Sequence, residues 1–334
     1  MSKPDIYETI TSAIVRRLEA GTKPWAPSWA TDGTTGGTPP LPLRVTGECY
    51  RGINVLLLWA SADENGFRSR RWMTFKQAQA LGGSVRKGSK GTGIVFFKKL
   101  TVTEQNDAGE DQERNIPMMR GFTVFNADQI EGLPAKFYAR PAVIPGASKE
   151  RDEVADSALR SSGAQIRESG DRAYYAPTMD LVNMPTFDRF ATVGGYLATL
   201  AHELCHWSGH ESRLNRQLLN KFGSKDYAFE ELVAEIGAAF VGARLGIVGD
   251  HIDDHAAYLA HWLQALRSDK RMIFKAASLA QQACDLVLAN AGELDGFAEF
   301  EDRAEPVADA PVPGESPLPV ALGSAAPAQF ALAL

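Results

Sequence analysis

Three of the six histidines in this 334-residue chain stand at four-residue steps in the stretch LATLAHELCHWSGH: His202, His206 and His210. Glu203 follows the first of them directly. On a helix, residues four apart project within about 40° of one another. His202 and His206 therefore aim two imidazoles at one point beside the helix. Zinc accepts neutral imidazole at about 2.0–2.1 Å and wants four ligands. Glu203 would sit beside the metal rather than on it, where a carboxylate can take a proton from water that the metal has acidified. The competing account is a helix whose two histidines are merely capped or hydrogen-bonded.

A third protein ligand has to come from elsewhere. His210 would lie about 12 Å from His202 along a continuous helix, too far to share one ion. Gly209 can end the helix and turn the chain, but His210 then follows it two residues too early for the HExxHxxGxxH pattern. His210 therefore remains a strained alternative. Downstream, YAFEELVAEIGAAFVGARLG reads as a second helix. Its large apolar residues Phe229, Leu232, Val233, Ile236 and Phe240 form one stripe. Glu231 and Glu235 share another face, which continues into Ala238, Ala239 and Gly242. Residues that small admit a close neighbouring helix, and two carboxylates on such a face need a partner. We expect Glu231 to ligate the metal and Glu235 to orient a ligand from behind; the reverse assignment, or an ordinary exposed pair, stays open. Glu230 points about 100° away and is expected to be solvated. The group that would stabilise an oxyanion is not identified; Tyr174, Tyr175, Tyr196, His251 and His255 are unranked candidates.

The elements that must hold these residues follow from periodicity. Ala191 to Ala201 carries no charge, so the helix expected over 191–208 should be buried nearly all round. Further helices are expected at 226–245, 254–268 and 270–291, with a charged helix near 149–161 and a strand or hairpin in RAYYAPTMDLVNMP. Upstream, an amphipathic helix at 4–20 stacks Ile6, Ile10, Ile14 and Leu18. A loop rich in Pro, Gly and Thr follows it. Helices are expected in GINVLLLWASADENG and TFKQAQALGG. Two strands, GIVFFKKLTVTE and RGFTVFNADQ, flank the polar stretch NDAGEDQERN. The fold class expected is α+β: an α+β domain over 1–140, then a mostly helical domain with a small β-sheet over 141–302. Residues 303–334, rich in Pro and Ala, cannot specify a core and read as disordered.

Charge divides along the same line. Net charge is −6, yet residues 1–140 hold 19 Lys+Arg against 14 Asp+Glu, and the remainder 16 against 27. Residues 44–99 alone hold 11 basic against 3 acidic. A basic first part facing an acidic second part suits a polyanion partner for the first. Aromatics are interleaved there with cations, the pattern that binds single-stranded nucleic acid by charge and stacking. The expected contacts are Arg51, Arg70, Arg71, Trp72, Arg86, Lys87 and Lys90, the last three in the Gly-flanked VRKGSKG. Trp25 and Trp29 lie in the Pro-rich loop; any one tryptophan could instead be a core anchor. Three scattered cysteines imply no disulfide framework and fit a reducing cytoplasm. There is no apolar leader and no run of about 18 apolar residues to span a membrane.

Several longer stretches together resemble a known family. DIYETITSAIVRRLEAGTKPW, YRGINVLLLW, WMTFKQAQALGG, VRKGSKGT and VFNADQIEGLP are similar to the amino-terminal domain of ArdC-type antirestriction proteins of plasmids and phages, and to the amino-terminal part of TraC-type plasmid primases. YLATLAHELCHWSGHESRLNR and YAFEELVAEIGAAF resemble the polyvalent-protein metallopeptidase domain. The resemblance covers about residues 4–295. It implies a domain that binds single-stranded DNA, a zincin-like domain with one Zn2+, and protection of incoming DNA from restriction in a bacterial host. It also implies that His202, His206 and a Glu of EELVAE hold the metal, with Glu203 as catalytic Glu. The expected partners are single-stranded DNA and a restriction enzyme or other DNA-bound protein. A structural metal in a protein that only shields DNA, and a protease for DNA–protein crosslinks, are the alternatives.

Overall fold

The computed structural model describes residues 5–21, 23–25, 39–105, 111–139, 152–216, 218, 224–247 and 256–292. The expected domain boundary near 140 and the tail from 303 lie outside them, as do Trp29, His251 and His255. The first domain begins with α1 (Ile6–Glu19), capped by the Asp5 carboxylate on the Tyr7 N–H and buried through Ile10, Ile14 and Leu18. Helix α2 (Ile53–Asn65) is apolar on more than one face and lies inside. Strand β1 (Trp72–Met73) leads to α3 (Phe75–Ala80), whose start is a Thr74/Gln77 capping box. After β2 (Ser84–Val85) come the two long strands β3 (Thr92–Gln105) and β4 (Asp111–Asn126), then β5 (Ile130–Glu131).

Strands β3 and β4 form one antiparallel ribbon from Thr92↔Val124 out to Gln105↔Asp111. The sequence places a loop or excursion over NDAGEDQERN. Pairing instead continues to Asp111, because ladder hydrogen bonds form whatever the side chains are. Strand β1 adds to the base of β4, giving the order β1-β4-β3, and β2 pairs with β5.

The second domain opens with α4 (Glu153–Arg160) and a small sheet of β6 (Gln165–Glu168), β7 (Tyr174–Ala176) and β8 (Leu181–Met184). Its order is β6-β8-β7, with β6 parallel and β7 antiparallel to β8. Four helices follow: α5 (Val193–Ser208), α6 (Lys225–Leu245), α7 (Ala256–Ser268) and α8 (Met272–Val287). Among the described residues, no helix is long and apolar enough to cross a membrane.

The two domains share one continuous core. Trp59 of α2 sets its ring edge against Phe240 of α6, and Tyr7 of α1 meets Phe274 of α8. Trp25, with no exposed surface, packs edge-on against Trp262 of α7. A smaller cluster around Met73, Ile130 and Phe137 stays within the first domain.

Candidate metal centre

Helices α5 and α6 bring the chemistry together. The Thr192 hydroxyl caps α5 by accepting from the Gly195 N–H, and Ser224 caps α6 in the same way. The two helices approach closely at Gly237, where an added Cβ would lie 2.7 Å from the Cys205 sulfur. That closeness sets the second helix's carboxylates against the first helix's imidazoles.

His202 and His206 turn their Nε2 atoms toward each other, 3.1 Å apart. The Glu231 carboxylate stands on the same side, with its oxygens 3.5 Å from His206 Nε2 and 3.7 Å from His202 Nε2. Donor atoms of these three residues all lie within 4.8 Å of one another. A tetrahedral ion bonded to both nitrogens would hold them about 3.4 Å apart, so two imidazoles and a carboxylate fit a divalent ion. Burial would raise the Glu231 carboxyl, but the two histidines hold it down at about 2. Burial also opposes a charge on His202, yet Glu231 and Glu235 push its pKa well above the usual value.

Behind each histidine stands a second glutamate. Glu235 Oε1 lies 3.5 Å from His202 Nδ1. Glu230 Oε1 lies 3.2 Å from His206 Nδ1. The His206 contact is a hydrogen bond of the kind that fixes ring orientation and tautomer, and the His202 contact is a looser charge approach. The position of Glu230 corrects the sequence expectation of a solvated side chain. It is 6% exposed and is clamped by Arg216, whose Nε and Nη2 donate to its two oxygens at 3.0 and 2.8 Å. The helical offset from Glu231 is real, but α6 has no solvent face at this turn, because residues 230–243 are all buried.

Arg216 arrives because α5 stops. The helix ends at Gly209, and the chain turns back so that Arg216 also donates to the Cys205 carbonyl and the Ser208 hydroxyl. Gly209 has an ordinary right-handed conformation. Its need is for space, since a Cβ there would meet the Arg216 guanidinium at 2.9 Å. His210 faces away into this turn, with its Nδ1 bonded to Ser212, so it is not among the converging donors.

Glu203 is buried beside the histidine pair, near the backbone of Tyr175 in β7. Burial pushes its carboxyl upward, partly offset by His202 and His206, which suits a group that must hold a proton. The Tyr175 hydroxyl is engaged with Asp180 and Arg213. Tyr196 is fully buried, bonded to Arg160 and Glu168. Tyr174 is exposed, with its hydroxyl on Arg167.

The expected DNA contacts divide into two groups. Arg86, Lys87 and Lys90 are exposed around the turn at Gly88, and Arg86 also donates to the Asp128 carbonyl. Arg51 is exposed and paired with Asp285 of α8. Arg70 and Arg71 are half-buried, and Arg71 donates to the Arg44 carbonyl. Trp72 does not fit the expectation: it is 2% exposed and packs against Phe67, so it presents no ring face for stacking. Among the described residues of this domain, the exposed aromatic rings are Phe75, Phe96 and Phe97, which sequence reading did not single out.

Two family models match the chain. One describes the N-terminal domain of anti-restriction factor ArdC and covers residues 4–125; the other describes a zincin-like metallopeptidase and covers residues 153–279. The protein y4eC of Sinorhizobium fredii is 41% identical over 286 residues, 84% of this chain and 91% of that protein. A DNA primase TraC of Escherichia coli is 40% identical over 306 residues. The match takes in 86% of this chain but only 27% of that primase. Crystal structures of the antirestriction ArdC protein from plasmid R388 superpose with a TM-score of 0.73, in a metal-free form (46% identity) and a Mn(II)-bound form (44% identity). These matches cover 86% and 87% of this chain, and 98% and 99% of the solved chains.

Proposed function

The chain belongs to the ArdC family of antirestriction proteins, and from that premise we propose that it binds single-stranded DNA through its first domain and hydrolyses a peptide bond in a DNA-bound protein, such as a restriction enzyme, at the metal centre of its second. The observation that carries the hydrolytic reading is the convergence of His202, His206 and Glu231 with Glu203 buried beside them. The setting is the cytoplasm of a bacterium receiving foreign DNA.

His202, His206 and Glu231 would hold one divalent ion per chain, and zinc suits two imidazoles and a carboxylate. Such an ion supplies Lewis acidity, activating water and polarising an amide carbonyl. Glu203 takes the proton from the attacking water and passes it to the leaving amine. Its raised pKa favours that second transfer. Glu230 and Glu235 keep the two imidazoles turned toward the ion. On the first domain, Arg51, Arg86, Lys87 and Lys90 meet phosphates, and the exposed rings of Phe75, Phe96 and Phe97 offer stacking faces.

The deciding experiment is a restriction-protection assay comparing wild type with Glu203→Ala, preceded by metal analysis of both. The expected result is about one ion per chain in each and protection only by wild type. Full protection by Glu203→Ala would overturn the hydrolytic reading in favour of a protein that shields DNA and uses its metal structurally.

A further inference from the structure

Lys23 belongs to the first domain, yet its ammonium group lies 3.8 Å from Glu235 Oε2. The same carboxylate's other oxygen stands 3.5 Å from His202 Nδ1. Glu235 is 2% exposed and Lys23 27% at the side chain, so the pair is shielded on one side and wet on the other. The backbone that carries Lys23 is anchored. Two residues on, the buried Trp25 packs on Trp262. The Trp262 Nε1–H in turn donates to the Ala228 carbonyl at 2.8 Å, two residues before Glu230 in α6.

Charge explains why a cation is needed there. Four buried carboxylates surround the centre: Glu203, Glu230, Glu231 and Glu235. Arg216 compensates Glu230, and Lys23 stands on Glu235. Lys23 is one of the groups that hold the buried Glu235 carboxylate in place, so removing it frees that side chain to shift away from His202.

We propose that Lys23 is a positioning residue of the metal centre, supplied by the first domain, which holds Glu235 against His202 and so keeps that ligand aimed at the ion. The inference rests on the metal-centre reading above. It makes the second domain's site dependent on a side chain from the first.

The sign of one measurement decides it. A lysine acting only as a nearby positive charge repels a divalent cation, so its removal would tighten binding. A positioning lysine does the opposite. Affinity of the full chain for Zn2+ is measured by competition with a chromogenic chelator for wild type, Lys23→Met, Lys23→Gln and Lys23→Arg. Lys76→Met removes an exposed cation of the same domain and serves as control. Loss of an outer partner of a ligand costs about 10–100-fold in affinity. We expect about a tenfold loss in Lys23→Met and Lys23→Gln, near-wild-type binding in Lys23→Arg, and no change in Lys76→Met. Unchanged or tighter binding in the two neutral variants overturns the role of Lys23 and leaves the metal centre standing, as does an equal loss in Lys23→Arg. Absence of Zn2+ binding by wild type overturns the metal centre itself and this inference with it. Thermal unfolding of the metal-free variants separates misfolding from lost affinity, and the two neutral substitutions guard against either one failing to fold.

Discussion

Truncating Glu230 to alanine tests whether the buried network behind His206 behaves as its geometry implies. The change deletes both contacts to Arg216 and the contact to His206 Nδ1. Arg216 is 5% exposed at its side chain and cannot reach water without movement. Its remaining bonds go to neutral groups, the Ser208 hydroxyl and the Cys205 carbonyl. Breaking a buried pair from one side costs about 3–5 kcal/mol. A domain of this size loses about 2–4 °C of Tm per kcal/mol, so the melting temperature should fall by roughly 10 °C. Bound metal would mask part of that, because a ligand of the folded state adds stability of its own. The assay is therefore thermal unfolding in excess chelator, with denaturant unfolding to give the free energy. The double variant Glu230→Leu, Arg216→Met removes both charges at once. It should recover most of the loss, since apolar replacement of a buried pair is often neutral. If Glu230→Ala alone unfolds within about 1 kcal/mol of wild type, far below the usual cost, the network is not the structural element described. A double variant as unstable as the single one would refute the charge argument specifically.

Two further outcomes are expected. Gly237→Ala puts a methyl 2.7 Å from the Cys205 sulfur, so α5 and α6 must separate. Denaturant unfolding should show a loss of about 1–3 kcal/mol, with weaker metal binding, whereas Gly93→Ala, where nothing lies within 4 Å, should lack the metal effect. Binding to single-stranded DNA should weaken as salt rises, and Lys87→Ala and Lys90→Ala should each reduce the slope of log affinity against log salt by about 0.7–1. Slopes identical to wild type would remove the Gly88 turn from the interface.

The convergence of His202 and His206 beside Glu203 is legible in the sequence because helix periodicity is a local property that needs only one turn of α5. The same logic paired Glu231 with Glu235 on one face of α6. The burial of Glu230 is not legible in this way, because a helical wheel gives direction but not what lies in that direction. What lies there is Arg216, returned by the turn after Gly209, and that is a tertiary fact. Strand β6 has the same character: QIRE carries no alternation, and its partner β8 follows 16 residues later in a parallel register that no hairpin signal marks. Rings posed the converse difficulty. Trp25 and Trp72 look like stacking platforms in a basic, aromatic-rich stretch, yet both are core residues, while Phe96 and Phe97 in a strand pattern reach the surface. Composition does not distinguish these cases, because the side of a ring that is covered depends on neighbours far along the chain.

The shared core bears on how such a chain can be inherited. Trp25 and Trp59 face rings of the second domain and have almost no surface of their own. A recombination breakpoint between the domains would strand these rings in water and leave Phe240 and Trp262 uncovered. Only exchanges that carry both halves keep the seam closed. The similarity to TraC has that form: it runs through both halves over 306 residues while filling 27% of the primase. In packing terms the two domains are a single unit, joined along the seam that Trp25 and Trp59 close.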